Sequence, residues 1–328
     1  MSTNRWAEFS LRANRFLERV FPMLISIGVV LGVMLPWVFI GLRPLVPWLF
    51  GTVTLAGALK LRVRELGRAV SSPIPIIFFF LLVRIIMPLV VFVLSSLVFK
   101  NDPDIVSGYV LLYSVPVAVT SFIWVTIFKG DPALALTLIM LDTMLAPIVV
   151  PGTVQLFLGT GITLNITGMA VTLILMVVIP TVAGVALNES SQGKIPALVT
   201  PYLAPVSKLF MILVIAANAS KVAPQIRFDN PLLWAVMAVC VGFIVLLFIC
   251  TRLAILAGKF NREKQVSLLF VSSLRNSAAA MTLAIRYFPE AAALPAVLGI
   301  MFQHNTAAIM GRIFFGRTGS SEKPPDKP

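Results

Sequence analysis

The chain has 328 residues, of which 59% are hydrophobic and 12% are charged, and its formal net charge is +13 at pH 7. Water-soluble globular proteins carry about 25% charged residues, so most of this surface must face something other than water. The single histidine excludes a metal site built from several histidines. The composition therefore indicates a membrane protein, and we expect no cofactor.

Residues 1–19 are polar and contain four arginines. They lack the apolar core and small-residue cleavage site of a secretory signal peptide. Trp6, Phe9 and Phe16 give this segment an amphipathic character. We expect a short cytoplasmic lead-in helix that lies along the membrane surface.

Ten apolar runs follow. A helix needs about 20 predominantly apolar residues to cross the hydrocarbon core of a bilayer. Polar residues concentrate in the connections, and the second run is short and weakly bounded. We predict transmembrane helices near residues 20–41, 45–59, 72–98, 105–127, 132–158, 165–187, 200–222, 230–257, 264–287 and 291–315.

The basic residues test this count. With a cytoplasmic N-terminus and ten crossings, eighteen of the 26 Lys and Arg residues fall on the inner side and five on the outer side. Membrane proteins concentrate basic residues in their cytoplasmic loops. The sequence therefore predicts a multi-pass protein of the cytoplasmic membrane with both termini inside. Because the basic residues are distributed by topology, they indicate no nucleic-acid partner.

Two stretches half a chain apart share a pattern. The first is TSFIWVTIFKGDPALALTLIMLDTMLAP and the second is LRNSAAAMTLAIRYFPEAAALPAVLGIMFQHNTA. Each has a polar cluster in an apolar helix, an acidic break and an Ala/Leu-rich helix. We predict an all-α polytopic membrane protein with a five-helix repeat over residues 20–160, an inverted second repeat over 161–316 and a disordered cytoplasmic tail over 317–328. Inverted repeats of this kind are common in secondary transporters.

Polar side chains at membrane depth are the candidate site residues, because a charge in the hydrocarbon costs several kcal/mol unless it is paired or hydrated. Asp142 either pairs with Arg275 or Arg84 or takes part in ion coupling. Lys208 either reaches the membrane surface or lines a site, and the single histidine either bonds between helices or binds a ligand. The candidates for substrate or ion binding are Thr120, Ser121, Asp142, Asn218, Ser273, Arg275, Asn276, Ser277, His304 and Asn305.

Four segments resemble the bile acid:sodium symporter family. PVAVTSFIWVTIFKGDPALAL, followed by LAP, is similar to the family's signature of its fourth and fifth helices. RNSAAAMTLA, QHNTAA and VIAANASKVA are similar to its ninth, tenth and seventh helices. The resemblance covers residues 20–315. It implies a panel domain, a core domain, two broken crossing helices (the fourth and ninth) and sodium-driven uptake of organic anions such as bile acids.

The departures from the family pattern concern sodium. Positions that resemble the family's sodium ligands hold Phe122, Ala135, Ile139 and Val271, and Arg275 stands where the family has glutamine. Sodium requires hard oxygen ligands. The pattern carries over only at Ser121, Asn276, Ser277, His304 and Asn305. We hypothesise that Arg275 substitutes for the coupling cation and holds the helix ends or a substrate carboxylate, with Asp142 as its partner or as a proton carrier.

The sequence therefore predicts a secondary transporter of small organic anions, bile-acid-like or other carboxylates, with altered or sodium-independent coupling. Sodium is doubtful as a coupling ion, and a proton is an alternative. The two other functions considered are a conventional sodium:organic anion symporter and a non-transporting membrane sensor on the same fold. The chain lacks the Gly-x-Ser-x-Gly and His-Glu-x-x-His motifs of hydrolases and proteases, so we expect no enzyme.

Overall fold

The computed structural model describes Leu17, Val20 and residues 23–59, 61, 73–159 and 165–316. Apart from Leu17, the expected lead-in over residues 1–19 lies outside this part of the chain, as does the expected tail over 317–328. The described residues form helices, and the one strand-like contact among them is an isolated antiparallel bridge between Val117 and Arg275.

Twelve helices are numbered here in chain order; α2, α3, α7 and α12 each include a short 3-10 or π stretch. They are α1 (Met23–Met34), α2 (Pro36–Ala58), α3 (Pro73–Val98), α4 (Pro103–Ser114), α5 (Ser121–Ile127), α6 (Pro132–Leu158), α7 (Ile166–Ser190), α8 (Lys194–Val222), α9 (Pro231–Ala257), α10 (Arg262–Ser273), α11 (Ser277–Tyr287) and α12 (Glu290–Phe315).

Side-chain caps explain where five of these helices begin. In each case the oxygen of an Asx side chain accepts a hydrogen bond from a backbone N–H of the first turn, which has no partner within the helix. The capping residues of α6, α7, α9, α10 and α11 are Asp131, Asn165, Asn230, Asn261 and Asn276.

Seven described helices are long and apolar enough to cross a bilayer, namely α2, α3, α6, α7, α8, α9 and α12. Large apolar side chains such as Trp48, Ile148 and Leu156 are 77–78% exposed along them. A soluble protein would not expose so much apolar surface, whereas lipid tails cover it without cost. The prediction of an all-helical polytopic membrane protein is confirmed.

The structure corrects two helix boundaries. The predicted first span, 20–41, is divided at Leu35, and α2 starts at Pro36 instead of near residue 45. Proline has no N–H to donate and disfavours a helical conformation in the residue before it, so a helix ends there.

The predicted spans at 105–127 and 264–287 are each interrupted. The first divides into α4 and α5, and the second into α10 and α11. The first break, which contains Val117 and Ala118, forms without a glycine. Val115 and Leu274 begin the two breaks in extended conformations with negative φ, which any residue adopts.

The helices form two packed groups, which also contact each other between α6 and α7. In the first, α2 packs on α7 and α8, and in the second, α9 packs on α10 and α12 while α3 and α6 pack on α4. Helix α1 joins the first group, because a Cβ at Gly32 would overlap the backbone of Ala216 on α8. Small residues let membrane helices approach this closely. We call α1, α2, α7 and α8 the panel group and the other eight helices the core group.

Candidate functional site

The two helix breaks of the core group meet each other. The N–H of Ala118 donates to the carbonyl of Leu274, and the N–H of Asn276 donates to the carbonyl of Pro116, both at 2.9 Å. These two bonds flank the bridge between the first and second break. Non-helical backbone at membrane depth is tolerated only where it is buried in protein or lines a cavity. We call this contact the crossover.

An ion pair lies beside the first break. Arg84 on α3 approaches Asp142 on α6, with Nε 2.7 Å and Nη2 2.5 Å from the same carboxylate oxygen. Both side chains are buried, with 6% and 0% exposed. Arg84 Nη1 also donates to the carbonyl of Ser114, the last residue of α4. Of the two predicted pairings of Asp142, the structure therefore has the one with Arg84.

Arg275, in the second break, has no carboxylate partner among the described residues. The residue is 2% exposed, and its Nη2 lies 2.9 Å from Met87 Sδ. Its guanidinium carbon lies 5.9 Å from the ring centre of Tyr113, within cation–π range. Its Nε and Nη1 have no hydrogen-bond partner in the described part of the chain. This residue is therefore a buried cation with two free donors.

A cavity of about 210 Å³ separates the panel group from the crossover. Panel side chains such as Phe50 and Met211 line one wall, and Arg275, Asn276 and His304 line the other. Most of the lining is apolar, with a few polar groups at the crossover, as is typical of sites for small organic ligands.

Lys208 on α8 lines this cavity from the panel side. Its ammonium group also lies 3.4 Å from the carbonyl of Ala204 on its own helix. The sequence left open whether this lysine reaches the membrane surface, and the structure places it at the cavity instead. The described lining therefore contains two cations, Lys208 and Arg275, and no acidic residue.

His304 on α12 is buried and takes part in a contact between helices. Its Nδ1 accepts a hydrogen bond of 3.3 Å from the indole N–H of Trp124 on α5. With Nδ1 as the acceptor, the neutral ring carries its proton on Nε2. Nothing in the sequence singled out Trp124, because a tryptophan in an apolar helix is ordinarily a packing residue.

The remaining candidates fall into three sets. Thr120, Asn276 and Ser277 line the cavity with Arg275 and His304. Ser121 is fully buried beside the first break, and its hydroxyl has no partner among the described residues, as is also true of Ser277. The residues that line the cavity form the polar part of the site, and Ser121 lies behind them.

Asn218, Ser273 and Asn305 are not among the residues that line the cavity. The amide of Asn218 donates to Thr282 at 2.8 Å, and the hydroxyl of Ser273 lies 3.5 Å from that of Thr251. Asn305 is exposed, and its amide donates to a carbonyl of its own helix. Sequence position alone does not show which face of a helix is turned toward the site.

Four positions were predicted to have lost sodium ligands. Their side chains are apolar, and three of them lie in apolar surroundings. Ala135, Ile139 and Val271 are buried with at most 1% exposed, and they belong to the hydrophobic core. Phe122 lines the cavity. None of these four side chains has an oxygen to offer a cation.

Comparison with known proteins now adds to this geometry. Residues 47–227 match the model of the Sodium Bile acid symporter family. The uncharacterized protein YbaS of Bacillus subtilis (strain 168) is 38% identical over 293 residues, which cover 88% of this chain and 95% of that protein.

Two further relatives have descriptive names. The uncharacterized sodium-dependent transporter YocS of Bacillus subtilis (strain 168) is 22% identical over 91% of each chain. The probable sodium/metabolite cotransporter BASS1, chloroplastic, of Arabidopsis thaliana is 28% identical over 63% of this chain and 50% of its own length. The expectation of a transporter instead of an enzyme is confirmed, as is the resemblance drawn from the sequence.

Proposed function

We propose, since the chain belongs to the Sodium Bile acid symporter family, that it moves small organic anions by alternating access without binding sodium. One observation carries this proposal. The described lining of the cavity between the panel group and the crossover holds no acidic residue, and it includes the buried Arg275, whose Nε and Nη1 have no partner among the described residues. A cavity with this charge attracts anions and repels cations.

The shape and lining of the cavity define the class of substrate. Arg275 and Lys208 suit a carboxylate, because guanidinium and ammonium groups form short, charge-assisted hydrogen bonds with it. Phe50, Phe122 and Met211 would contact an apolar body. The volume of about 210 Å³ is somewhat below the range of about 300–1,000 Å³ for drug-sized ligands, so we favour small carboxylates.

The buried charge of Arg275 gives the substrate its binding energy. An uncompensated charge at membrane depth costs several kcal/mol. A substrate carboxylate at its free Nε and Nη1 would offset that cost, whereas Arg84 already has Asp142. Substrate charge would then stabilise the crossover.

The surroundings of Asp142 argue against a proton carried by this residue. Its carboxylate faces Arg84 and accepts the backbone N–H of Val117 at 2.8 Å. Protonation would leave the buried Arg84 charge without its partner, at a cost of about 3–5 kcal/mol. We therefore favour uniport or anion exchange over proton-linked transport through Asp142.

Sodium symport is the second candidate, and the printed names of YocS and BASS1 favour it. The ligands would then be backbone carbonyls at the crossover together with Ser121, Thr120 and Asn276. These are uncharged oxygens, whereas hard cations prefer sites that include a carboxylate. The fixed charge of Arg275 at the crossover would also repel the ion.

We also propose the finer topology. The seven long helices, α1 and the two interrupted pairs α4/α5 and α10/α11 would make ten crossings in two inverted repeats. The basic residues support cytoplasmic termini and the cytoplasmic membrane. In a variant without Cys240 and Cys250, labelling of single cysteines placed at residue 100 and at residue 259 from either side of sealed vesicles tests this arrangement, because the two positions should react from opposite sides.

A ligand screen followed by transport tests the function. The purified protein is heated with benzoate, pyruvate, succinate and related carboxylates, in sodium and in potassium buffers. We expect stabilisation by at least one small carboxylate that is equal in both buffers. The stabilising compound should then accumulate in proteoliposomes down its own gradient without sodium.

Two outcomes would contradict this function. Uptake that requires a sodium gradient would establish the symport alternative. Stabilisation by a carboxylate without any uptake in sealed vesicles would indicate the non-transporting sensor. Arg275→Gln serves as the matched variant, because it should abolish the stabilisation and leave the fold intact.

A further inference from the structure

Two backbone N–H groups at the crossover are bonded in the same way. Val117 in the first break donates to the carboxylate of Asp142 at 2.8 Å, and Arg275 in the second break donates to the side-chain oxygen of Gln303 at 3.3 Å. The two acceptors are buried, with 0% and 7% exposed. Each acceptor side chain thus reaches the unwound residue from a neighbouring helix.

The positions of the two acceptors correspond. Asp142 lies on α6, the long helix after the first break, 25 residues beyond its donor. Gln303 lies on α12, the long helix after the second break, 28 residues beyond its donor. The two donors, Val117 and Arg275, are also the two residues paired in the isolated bridge.

The geometry of the bridge explains why acceptors are needed. In a pair of this type, the hydrogen bonds run between the flanking residues, here from Ala118 to Leu274 and from Asn276 to Pro116. The N–H groups of the paired residues themselves point away from each other. Without outside acceptors, two buried amides would be unsatisfied at membrane depth, where each costs several kcal/mol.

We propose that Asp142 and Gln303 are paired positioning residues that hold the two unwound segments in register, and that their difference in charge sets the charge of the site. Asp142 is neutralised by Arg84, which also holds the end of α4. Gln303 fills the equivalent role without a charge. A carboxylate there would hold the same N–H and would also neutralise the Arg275 side chain.

The neutrality of Gln303 therefore leaves Arg275 available to an anion. This second part of the proposal rests on the proposed function, whereas the positioning role does not. The two parts have separate measurements, so that the failure of one is distinguishable from the failure of the other.

Hydrogen exchange of single amides tests the positioning role without any substrate. Gln303→Met removes the acceptor and retains the size of the side chain. We expect the Arg275 amide to exchange about five- to tenfold faster, since one hydrogen bond is lost, while the Val117 amide keeps its protection. Asn305→Ala on the same helix is the control, because the Asn305 amide bonds within α12.

The first break is tested with two double variants, which avoid an unpaired buried charge. Arg84→Gln with Asp142→Asn retains an oxygen acceptor and should keep the Val117 amide protected. Arg84→Leu with Asp142→Leu removes the acceptor and should accelerate its exchange by a similar factor. Thr153→Val is the control on α6, because the Thr153 hydroxyl donates to a carbonyl of its own helix.

Carboxylate binding tests the charge. Gln303→Glu should keep the Arg275 amide protected and reduce carboxylate binding at least about 30-fold, because the new charge competes for Arg275. Unchanged exchange at Arg275 in Gln303→Met would overturn the positioning role, even if the Leu double variant does not fold. Undiminished carboxylate binding by Gln303→Glu would overturn the role of charge.

Discussion

Two buried arginines lie at the crossover, and their surroundings differ. Arg84 faces a carboxylate and a helix-terminal carbonyl, whereas Arg275 faces a thioether and an aromatic ring and lines the cavity. Both cations are buried in the core group, so burial alone does not distinguish them. They differ in their counter-ions, because Arg84 has Asp142 and Arg275 has no carboxylate partner among the described residues, as we expect of an anion-binding residue.

The comparison also shows that different kinds of side chain hold the two breaks. The first break is held by a neutral ion pair, and the second is held by a neutral amide beside an uncompensated cation. The backbone bonds of the crossover form although the first break holds Val117 and Ala118 and no glycine. We therefore expect the helix breaks to tolerate the change of ligand, from cation to anion, that we propose.

The largest expected effect comes from breaking the ion pair on one side. Asp142→Leu leaves Arg84 buried without a partner and should lower the free energy of unfolding by about 3–5 kcal/mol. Thermal unfolding in detergent measures this loss. The double variant Arg84→Gln with Asp142→Asn should recover most of the stability. Equal losses in the single and double variants would show that the charges do not compensate each other.

In contrast to Asp142→Leu, Arg275→Gln should weaken carboxylate binding and leave the stability of the protein almost unchanged. The substitution removes an uncompensated buried charge, so the free energy of unfolding should stay within about 1 kcal/mol of the parent or increase. Carboxylate binding should weaken at least about 30-fold, because a buried charged hydrogen bond is lost. Carboxylate-dependent thermal stabilisation measures both quantities. A loss of stability as large as that of Asp142→Leu would mean that Arg275 has a structural counter-ion.

Apolar runs in the sequence predicted continuous spans, and only the resemblance to the family implied the two breaks. Part of the site could be predicted from the residues, because Asp142, Arg275 and His304 are conspicuous as ionisable groups at membrane depth. The position of Lys208 at the cavity and the hydrogen bond accepted by Gln303 could be seen only in the structure. The position of Lys208 along its helix allows it either to reach the membrane surface or to face the cavity, and only packing against neighbouring helices decides between them.

Three of the candidate residues lie away from the cavity for a related reason. Asn218, Ser273 and Asn305 bond to a neighbouring helix or to their own, as polar side chains in membrane helices often do. The same residue types line the cavity at Asn276 and Ser277. Residue type therefore identifies candidate site residues. Whether a candidate lines the cavity depends on which face of its helix it occupies.

Lys208→Gln should have a smaller effect than Arg275→Gln, because the lysine is half-buried and solvent screens its charge. We expect carboxylate binding to weaken about three- to fivefold, in line with the modest strength of exposed ion pairs. The effect should shrink in high salt, since screening already weakens the interaction in the parent. Titrations at low and high ionic strength measure this. An effect as large as that of Arg275→Gln would make Lys208 the principal anion ligand.

The smallest expected effect is the change in the free energy of unfolding when a serine hydroxyl is removed. It should depend on whether that hydroxyl has a hydrogen-bond partner. Ser277 is buried at the site and its hydroxyl has no partner in the described part of the chain, whereas the Ser220 hydroxyl donates to Ala217 at 2.8 Å. Ser220→Ala should lower the free energy of unfolding by about 1 kcal/mol, and Ser277→Ala should change it by less than about 0.5 kcal/mol, since no hydrogen bond is lost. Thermal unfolding of both variants without ligand measures the difference. If Ser277→Ala destabilises the protein as much as Ser220→Ala, the Ser277 hydroxyl already has a hydrogen-bond partner in the ligand-free state. It is then not available to donate to an anion.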